Sequence, residues 1–124
     1  MKMKAETYFR KIRDSMKSVG TYRKEFETSM KTLAQIYEDR DKAREDFEKS
    51  GGKFIVKHIN KNGSTNLVKN PFIVMIDSFN DKILAYNREL GLTPTGLKKL
   101  NEKGLKIEKK DGLESLIEGM FDDM

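Results

Sequence analysis

Residues 70–94 read NPFIVMIDSFNDKILAYNRELGLTP, and this segment carries the clearest structural signals of the chain. Asn70 can cap a first helical turn, and Pro71 brings the backbone φ that the first helical position requires. Gly91 suits the left-handed position just after a helix, where Leu92 can fold back in a Schellman ending. The apolar residues between these signals recur four and three positions apart, as on one helix face. The stretch therefore predicts a core helix with the seam Phe72, Ile76, Phe79, Ile83, Tyr86 and Leu90, widened by Ile73 and Leu84.

The residues after this helix repeat the same start signal. Thr93-Pro94 predicts a short fourth helix that reaches about Lys103 and stops at Gly104, with Leu97 and Leu100 facing inward. A polar link then leads to a last amphipathic segment, 111–124. Its apolar residues recur at helical spacing: Leu113, Leu116, Ile117, Met120 and Phe121.

In the residues before the core helix the apolar positions no longer recur at helical spacing but in short runs typical of strands. Residues 53–69 contain two short β-prone runs on either side of Asn62-Gly63, the favoured pair for a type I′ turn. This pattern predicts a β-hairpin. Because an isolated two-stranded hairpin is marginally stable in water, it must pack on the helices or on a neighbouring subunit.

Two further helices are predicted upstream of the hairpin. The first covers residues 5–19, with Tyr8, Ile12 and Met16 on one face, and ends at Gly20. Thr21 is placed to cap the second helix. The apolar stripe of that helix ends at Tyr37, and residues 38–49 are nearly all charged, so this half is expected to be a solvated extension. The stripe consists of Phe26, Met30, Leu33 and Tyr37.

Together these elements predict a mainly α protein. We expect a helical bundle of about four helices with one inserted β-hairpin and a short C-terminal amphipathic helix, in two parts: a core over 1–104 and a tail over 105–124. Hydrophobic residues make up 36% of the chain and charged residues another 36%, a thin apolar supply for a compact monomer. Copies of the chain are therefore expected to complete each other's core. The candidate oligomerisation residues are Leu33, Tyr37, Phe79 and Ile83.

The residues that carry chemistry are sparse. There is no cysteine, and His58 is the single histidine, so the sequence suggests no metal site. Gly51-Gly52 lacks the Lys-Ser/Thr of a phosphate-binding Walker loop. No apolar stretch reaches the roughly 18 residues of a membrane span. The sequence therefore predicts an intracellular soluble protein without enzymatic activity, cofactor or membrane partner, and no catalytic residue is assigned.

Charge is distributed unevenly along the chain. Residues 1–24 carry eight Lys/Arg against two acidic residues, whereas residues 111–124 carry five acidic residues and no basic one. A basic segment can neutralise phosphates and release counterions without reading sequence, although a basic surface can also be idle. The candidate DNA-binding residues here are Lys4, Arg10, Lys11, Arg13, Lys17, Arg23 and Lys24.

A second candidate for DNA binding is the helix–turn–helix pattern over residues 83–103. With Gly91 as the turn glycine, the fourth helix presents Lys98 and Lys99. Asn87 stands where a small apolar residue is usual. The alternative is that these two helices simply turn a corner to close the core.

Two strings of this sequence carry a family resemblance. Val68-Lys69-Asn70-Pro71-Phe72 opens the core helix, and Arg88-Glu89-Leu90-Gly91-Leu92-Thr93-Pro94 closes it before a Lys-rich turn. With the loop near Gly20 and the charged helix before Gly51-Gly52, the chain resembles the phage terminase small subunits over roughly residues 20–103. It departs from them at Thr95-Gly96, where an arginine is expected after the proline.

The resemblance implies a non-catalytic subunit that acts in the bacterial cytoplasm. Such a subunit recognises concatemeric viral DNA, assembles into a ring and presents the double-stranded DNA to the large subunit, which holds the ATPase and nuclease. The tail is the candidate docking segment for that motor, through Leu113, Leu116, Ile117 and Phe121; it could instead pack on its own domain or on a neighbouring subunit. Other functions left open are a dimeric helix–turn–helix regulator and a structural adaptor.

Overall fold

The computed structural model describes residues 3–103, and within them the chain is mainly helical with one antiparallel hairpin, as predicted. Helix α2 packs against both α1 and α3, whereas the nine-residue α4 packs on α3. Three long helices therefore form the main body, and α4 is a short addition rather than an equal member of a four-helix bundle. The predicted C-terminal helix lies outside the described residues. In chain order the elements are α1 (Ala5–Val19), a 3-10 turn (Lys24–Phe26), α2 (Glu27–Lys49), β1 (Ile55–Ile59), β2 (Thr65–Lys69), α3 (Pro71–Glu89) and α4 (Pro94–Glu102).

The first core lies where α1 crosses the N-terminal half of α2 and the C-terminal half of α3. Met16, Met30 and Leu33 have no solvent exposure there. The predicted stripes of the first two helices therefore meet each other and the core helix inside one chain. The buried members of this first core are Ile12, Met16, Met30, Leu33, Ala34, Ile83 and Leu90.

A second core lies between the other half of α2 and the first turns of α3. Its buried members are Ala43, Phe47, Ile73 and Ile76. The prediction that residues 38–49 form a wholly solvated extension is therefore wrong. Two apolar residues four positions apart, Ala43 and Phe47, suffice to make an inward face when a partner helix lies alongside. The charged residues around them stay on the outer faces, where Lys49 Nζ lies 2.6 Å from Glu45 Oε1.

The helix ends follow the predicted signals. Asn70 Oδ1 accepts from Phe72 N at 3.0 Å ahead of Pro71, and Thr93 Oγ1 accepts from Gly96 N at 3.0 Å ahead of Pro94. At the end of α3, Gly91 has φ +74° and Leu92 N donates to Asn87 O at 2.8 Å, which is a Schellman ending. The predicted helix starts and stops are confirmed at these positions.

Thr21 has a different role from the predicted cap of the second helix. Its side chain is fully buried, and Oγ1 donates to the carbonyl oxygen of Leu90 at 2.9 Å. A 3-10 turn separates Thr21 from α2. The hydroxyl therefore joins the end of α1 to the end of α3, a contact between residues 69 positions apart that local sequence does not reveal.

The hairpin forms in the predicted place, but its turn differs from the predicted type I′. Gly63 has φ +85°, whereas Asn62 does not have a positive φ. Gly63 N donates to Asn60 O at 2.9 Å, and Asn62 Oδ1 accepts from Ser64 N at 3.0 Å. A longer connection of this kind needs one left-handed residue, not two, and the Asn62 side chain satisfies the backbone instead.

Candidate DNA-binding surfaces

Helix α1 is fixed through its inner face, which leaves its outer face free to carry charge. The Tyr8 ring stacks on Tyr37 with centroids 4.7 Å apart, and Tyr8 Oη donates to Asp41 Oδ2 at 2.5 Å. Burial raises the pKa of the Tyr8 hydroxyl, and the hydrogen bond and negative charge of Asp41 raise it further. At the helix start, Ala5 N donates to Glu38 Oε2 at 2.9 Å, so α2 supplies the cap that Lys4 cannot.

The predicted basic residues of the N-terminal segment fall into two groups by exposure. Lys4, Arg10, Lys11, Lys17 and Lys24 are exposed, whereas Arg13 and Arg23 are half-buried. Arg13 Nε lies 3.6 Å from Asp14 Oδ1, and Arg23 Nε lies 3.2 Å from Glu25 Oε2. The two half-buried arginines are thus partly neutralised inside the chain, and the five lysine and arginine residues of the first group are the better candidates for phosphate contact.

The exposed basic residues of α1 lie on two flanks of the helix rather than on one. Arg10 borders a shallow groove of about 440 Å³ between α1 and α2, which Lys31 also lines. Lys11 borders a larger groove of about 1030 Å³ between α1 and the α3–α4 turn, together with Leu97. Consecutive helical residues point about 100° apart, so the neighbouring residues Arg10 and Lys11 border different grooves. The structure adds Lys31, which the sequence analysis missed because it lies on another helix.

The α3–α4 unit presents the basic residues that the helix–turn–helix pattern predicted. Lys98 and Lys99 are exposed, while Leu100 is buried and Leu97 half-buried. Because Leu97 lines the same groove as Lys11, α4 and α1 border one concave surface. The structure therefore brings α4, which carries Lys98 and Lys99, beside α1 at this groove, although the two lysines do not line it.

Gly96 sets how closely α4 approaches α3, and sequence analysis gave it no such role. A Cβ built at this buried position would lie 1.9 Å from the carbonyl oxygen of Arg88. In the family an arginine is expected after the proline, whereas this chain has Thr95-Gly96. The departure thus includes Gly96, whose contact with Arg88 leaves no room for a side chain. A glycine in the first turns of a helix, where it costs stability, was the available signal.

Asn87, the polar residue that departs from the helix–turn–helix pattern, has a structural partner. Its Nδ2 donates to Tyr37 Oη at 3.0 Å. Tyr37 in turn stacks on Tyr8, so one polar side chain of α3 reaches α1 through α2. Asn87 also lines the larger groove, and its hydrogen bond to Tyr37 helps to hold together the helices that form the walls of that groove.

The four candidate oligomerisation residues lie within the packing of the chain itself. Leu33 and Ile83 are buried in the first core, at 0% and 7% exposure. Tyr37 and Phe79 are half-buried at the edges of the two cores. The apolar stripes of α2 and α3 are therefore largely covered without a second copy, and the part of these residues in assembly stays a prediction.

The remaining candidates give no further site in the described part of the chain. His58 lies exposed in β1 opposite Asn66, and residues 3–103 contain no group of three or more potential metal-ligating side chains. No helix in that range is long and apolar enough to cross a bilayer. The candidate docking residues Leu113, Leu116, Ile117 and Phe121 lie outside the described residues.

Comparison with known proteins gives one match. The family model described as "Phage terminase, small subunit" matches residues 5–106, which include all of α1 to α4 and the hairpin. No curated protein and no solved structure matches significantly.

Proposed function

Because the chain belongs to the phage terminase small-subunit family, we propose that it binds viral double-stranded DNA, assembles with copies of itself into a ring and delivers the DNA to the large subunit. The family has a role in phage DNA packaging and generally supplies the non-catalytic subunit. The chemistry of this chain is therefore binding, with no cofactor, and ATP hydrolysis and DNA cleavage belong to the large subunit. The place of action is the cytoplasm of the host bacterium.

The observation that carries DNA binding is the exposed basic surface of α1 and its neighbours. Arg10 and Lys31 border one groove, and Lys11 lies on the other flank toward α4, where Lys98 and Lys99 are exposed. These side chains come from three helices, of which α1 and α2 pack together in the first core and α4 packs on α3. Lysine and arginine on such a surface contact phosphates and fix the orientation of the duplex without reading its bases.

The test compares two charge-reversed forms of the full chain. One carries Arg10→Glu, Lys11→Glu and Lys17→Glu on exposed positions of α1; the control carries Lys42→Glu, Arg44→Glu and Lys49→Glu, the same charge change on exposed positions of α2. Fluorescence anisotropy with a non-specific duplex is measured over a range of salt concentrations. We expect the α1 form to lose affinity for every sequence and its salt slope to fall by about 3, roughly one for each lost phosphate contact.

The same assay separates packaging from sequence-specific regulation. If the α1 form binds as tightly as the control, the basic surface is idle and the proposed contact is wrong. If Lys98→Glu with Lys99→Glu abolishes binding to one short palindrome and leaves other duplexes unaffected, the α3–α4 unit is a sequence reader. A dimer in solution would agree with that regulator, whereas a larger closed assembly supports the terminase subunit.

Self-association is proposed to use the α2–α3 unit. Leu33 and Ile83 contribute indirectly by holding the two helices together, and Tyr37 and Phe79 lie at the margins of that packing. Phe79→Glu should dissociate the assembly or unfold the chain, which light scattering with circular dichroism distinguishes. A folded wild-type monomer at micromolar concentration would contradict the proposal.

The acidic segment 111–124 is proposed to dock on the large subunit. Its five carboxylates repel phosphate, so it is unsuited to DNA, while its apolar residues recur at helical spacing. A short helix of this length gains order against a groove rather than alone. Deleting 111–124 should leave DNA affinity unchanged and abolish capture by the large subunit in a pull-down. Unchanged capture together with a lower melting temperature would make the tail a structural element of its own domain or ring.

A further inference from the structure

Uncovered apolar surface is concentrated at the hairpin end of the molecule. Within residues 3–103, seven large hydrophobic side chains are exposed, and six of them lie between positions 54 and 75. Ile59 and Leu67 are the most open, each 72% exposed. Exposed apolar side chains concentrated in one part of a protein whose helical cores are covered indicate an interaction site.

One face of the hairpin carries three of these six side chains. The strand register places Ile55, Ile59 and Leu67 on the same face as Lys57 and Lys69, because side chains alternate along each strand. Both strands also keep an open edge, since the described sheet has two strands. Such a hairpin is marginally stable without a partner on its face.

Within residues 3–103, the bonds and ring contact that join the hairpin to the helices lie near its base. The Phe54 ring lies 5.5 Å from the Phe47 ring, and Asn70 Nδ2 donates to Lys53 O at 2.8 Å. Lys69 Nζ lies 2.6 Å from Asp77 Oδ2 on α3. These contacts fix the direction of the hairpin and leave the face with Ile59 and Leu67 open.

The charges of this region restrict what can cover it. Residues 50–76 contain four lysines, Lys53, Lys57, Lys61 and Lys69, and no acidic residue. A second hairpin placed face to face would bring like charges together. DNA would satisfy the lysines but would leave Ile55, Ile59 and Leu67 against a polyanion. The face therefore suits a protein surface that is both apolar and acidic.

The outer side of α3 is such a surface. Val74, Asp77, Asp81 and Leu84 are spaced three, four and three positions apart, so they form one stripe on the helix. Val74 is 51% exposed and Leu84 is 50% exposed, and Asp81 is exposed between them. This stripe points away from the second core, which takes the other side of α3 through Ile73 and Ile76.

We propose that the Ile59–Leu67 face of the hairpin of one copy docks on the Val74–Leu84 stripe of α3 in the next copy. Lys57 of the first copy then faces the carboxylates of the stripe in the next copy. In that next copy Asp77 is already paired with Lys69 of its own hairpin, so Asp81 is the carboxylate that Lys57 is proposed to meet. Because hairpin and stripe are different surfaces of the same chain, a head-to-tail contact leaves one of each open, so the contact can repeat from copy to copy until a ring closes. The inference rests on the proposed self-association, names its surfaces and does not depend on DNA binding.

Complementation between two defective variants tests this contact in the full chain. Leu67→Asp spoils the hairpin face and keeps the stripe, whereas Leu84→Asp spoils the stripe and keeps the hairpin. Light scattering should give each variant alone the mass of one chain, 14.4 kDa. An equimolar mixture should give a 1:1 complex of twice that mass, because one intact hairpin meets one intact stripe. His58→Asp, on the other hairpin face, is the control and should keep the wild-type mass.

A charge swap checks the pairing without touching apolar residues. Lys57→Glu and Asp81→Lys should each weaken assembly, and both changes in one chain should restore it, while far-ultraviolet circular dichroism stays that of wild type. The inference is overturned if folded Leu67→Asp and Leu84→Asp keep the wild-type mass, or if their mixture stays monomeric. It is also overturned if Leu67→Asp keeps the mass and loses DNA affinity, since the hairpin then binds DNA while the proposed ring stands. A monomeric wild type contradicts self-association itself.

Discussion

The junction of the helix ends around Thr21 and the hairpin around Leu67 are opposite kinds of structure in one small chain. At the junction a buried hydroxyl, the Schellman endings of α1 at Gly20 and of α3 at Gly91, and the first core fix three helices against each other. At the hairpin, Leu67 is 72% exposed and the contacts to the helices lie at the base. The helices are therefore held in place by contacts within one chain, whereas the hairpin carries apolar surface that the single chain does not cover. Thermal and chemical stability should therefore come almost entirely from the two helical cores.

The largest expected effect comes from the same substitution made in both regions. Leu33→Ala removes a side chain with 0% exposure and should lower the free energy of unfolding by about 2–5 kcal/mol. Leu67→Ala removes one that is 72% exposed and should change it by less than about 0.5 kcal/mol in the monomer. Urea unfolding followed by circular dichroism at low protein concentration measures both. Equal losses would mean that the hairpin is part of the chain's own core.

A smaller loss is expected where α4 meets α3. Gly96→Ala places a methyl group 1.9 Å from the Arg88 carbonyl oxygen, so α4 must move, at a cost of about 1–3 kcal/mol. Thr95→Ala, next to it on an exposed position, should stay within about 0.5 kcal/mol. If α4 also presents lysines to DNA, only the Gly96 variant should lower DNA affinity. A Gly96 variant with wild-type stability would show that the close approach is not retained in solution.

Asn70 lies between the hairpin and α3 and bonds to both sides. Two substitutions distinguish its role as the cap of α3 from its role in holding the base of the hairpin. Asn70→Ala removes both the cap of α3 and the bond to Lys53 O and should cost about 1–2 kcal/mol. Asn70→Asp keeps the capping oxygen and loses the Nδ2 donor, so global stability should fall less while the hairpin loosens. Hydrogen exchange of the β1 and β2 amides checks this. Faster exchange in Asn70→Asp confined to the hairpin supports the division, and equal losses of global stability in both variants would contradict it.

The smallest effect is a pH dependence at alkaline pH that belongs to the helical body. Because burial and Asp41 raise the pKa of Tyr8 above the unfolded value of 10.0, the folded state keeps its proton longer. The stability from this hydroxyl is full below pH 10.0 and is lost as pH rises through the folded pKa. The denaturant midpoint of the wild type should therefore fall between neutral and strongly alkaline pH. In Tyr8→Phe the part of this fall that comes from the Tyr8 hydroxyl should be absent. An identical decline in Tyr8→Phe and wild type would assign it to other groups.

The sequence alone determined the local starts and stops of this fold. Asn70-Pro71, Thr93-Pro94, Gly20 and Gly91 act through their own backbone preferences and side-chain caps within a few residues, and the structure confirms each. The family resemblance rested on the same local strings, and the family match confirms it. Signals of this kind are readable because cause and effect lie within a few residues of each other.

The contacts of each element, by contrast, follow from tertiary packing and could not be predicted from local sequence. Thr21 looks like a helix cap until Leu90 is placed beside it, and Phe47 looks solvated until α3 covers it. Gly96 gains its role from a carbonyl of another helix. The division of the basic residues between two grooves and the open hairpin face likewise depend on how helices pack. Packing joins residues far apart in sequence, and neither periodicity nor charge counting fixes which of the possible partners a face will meet.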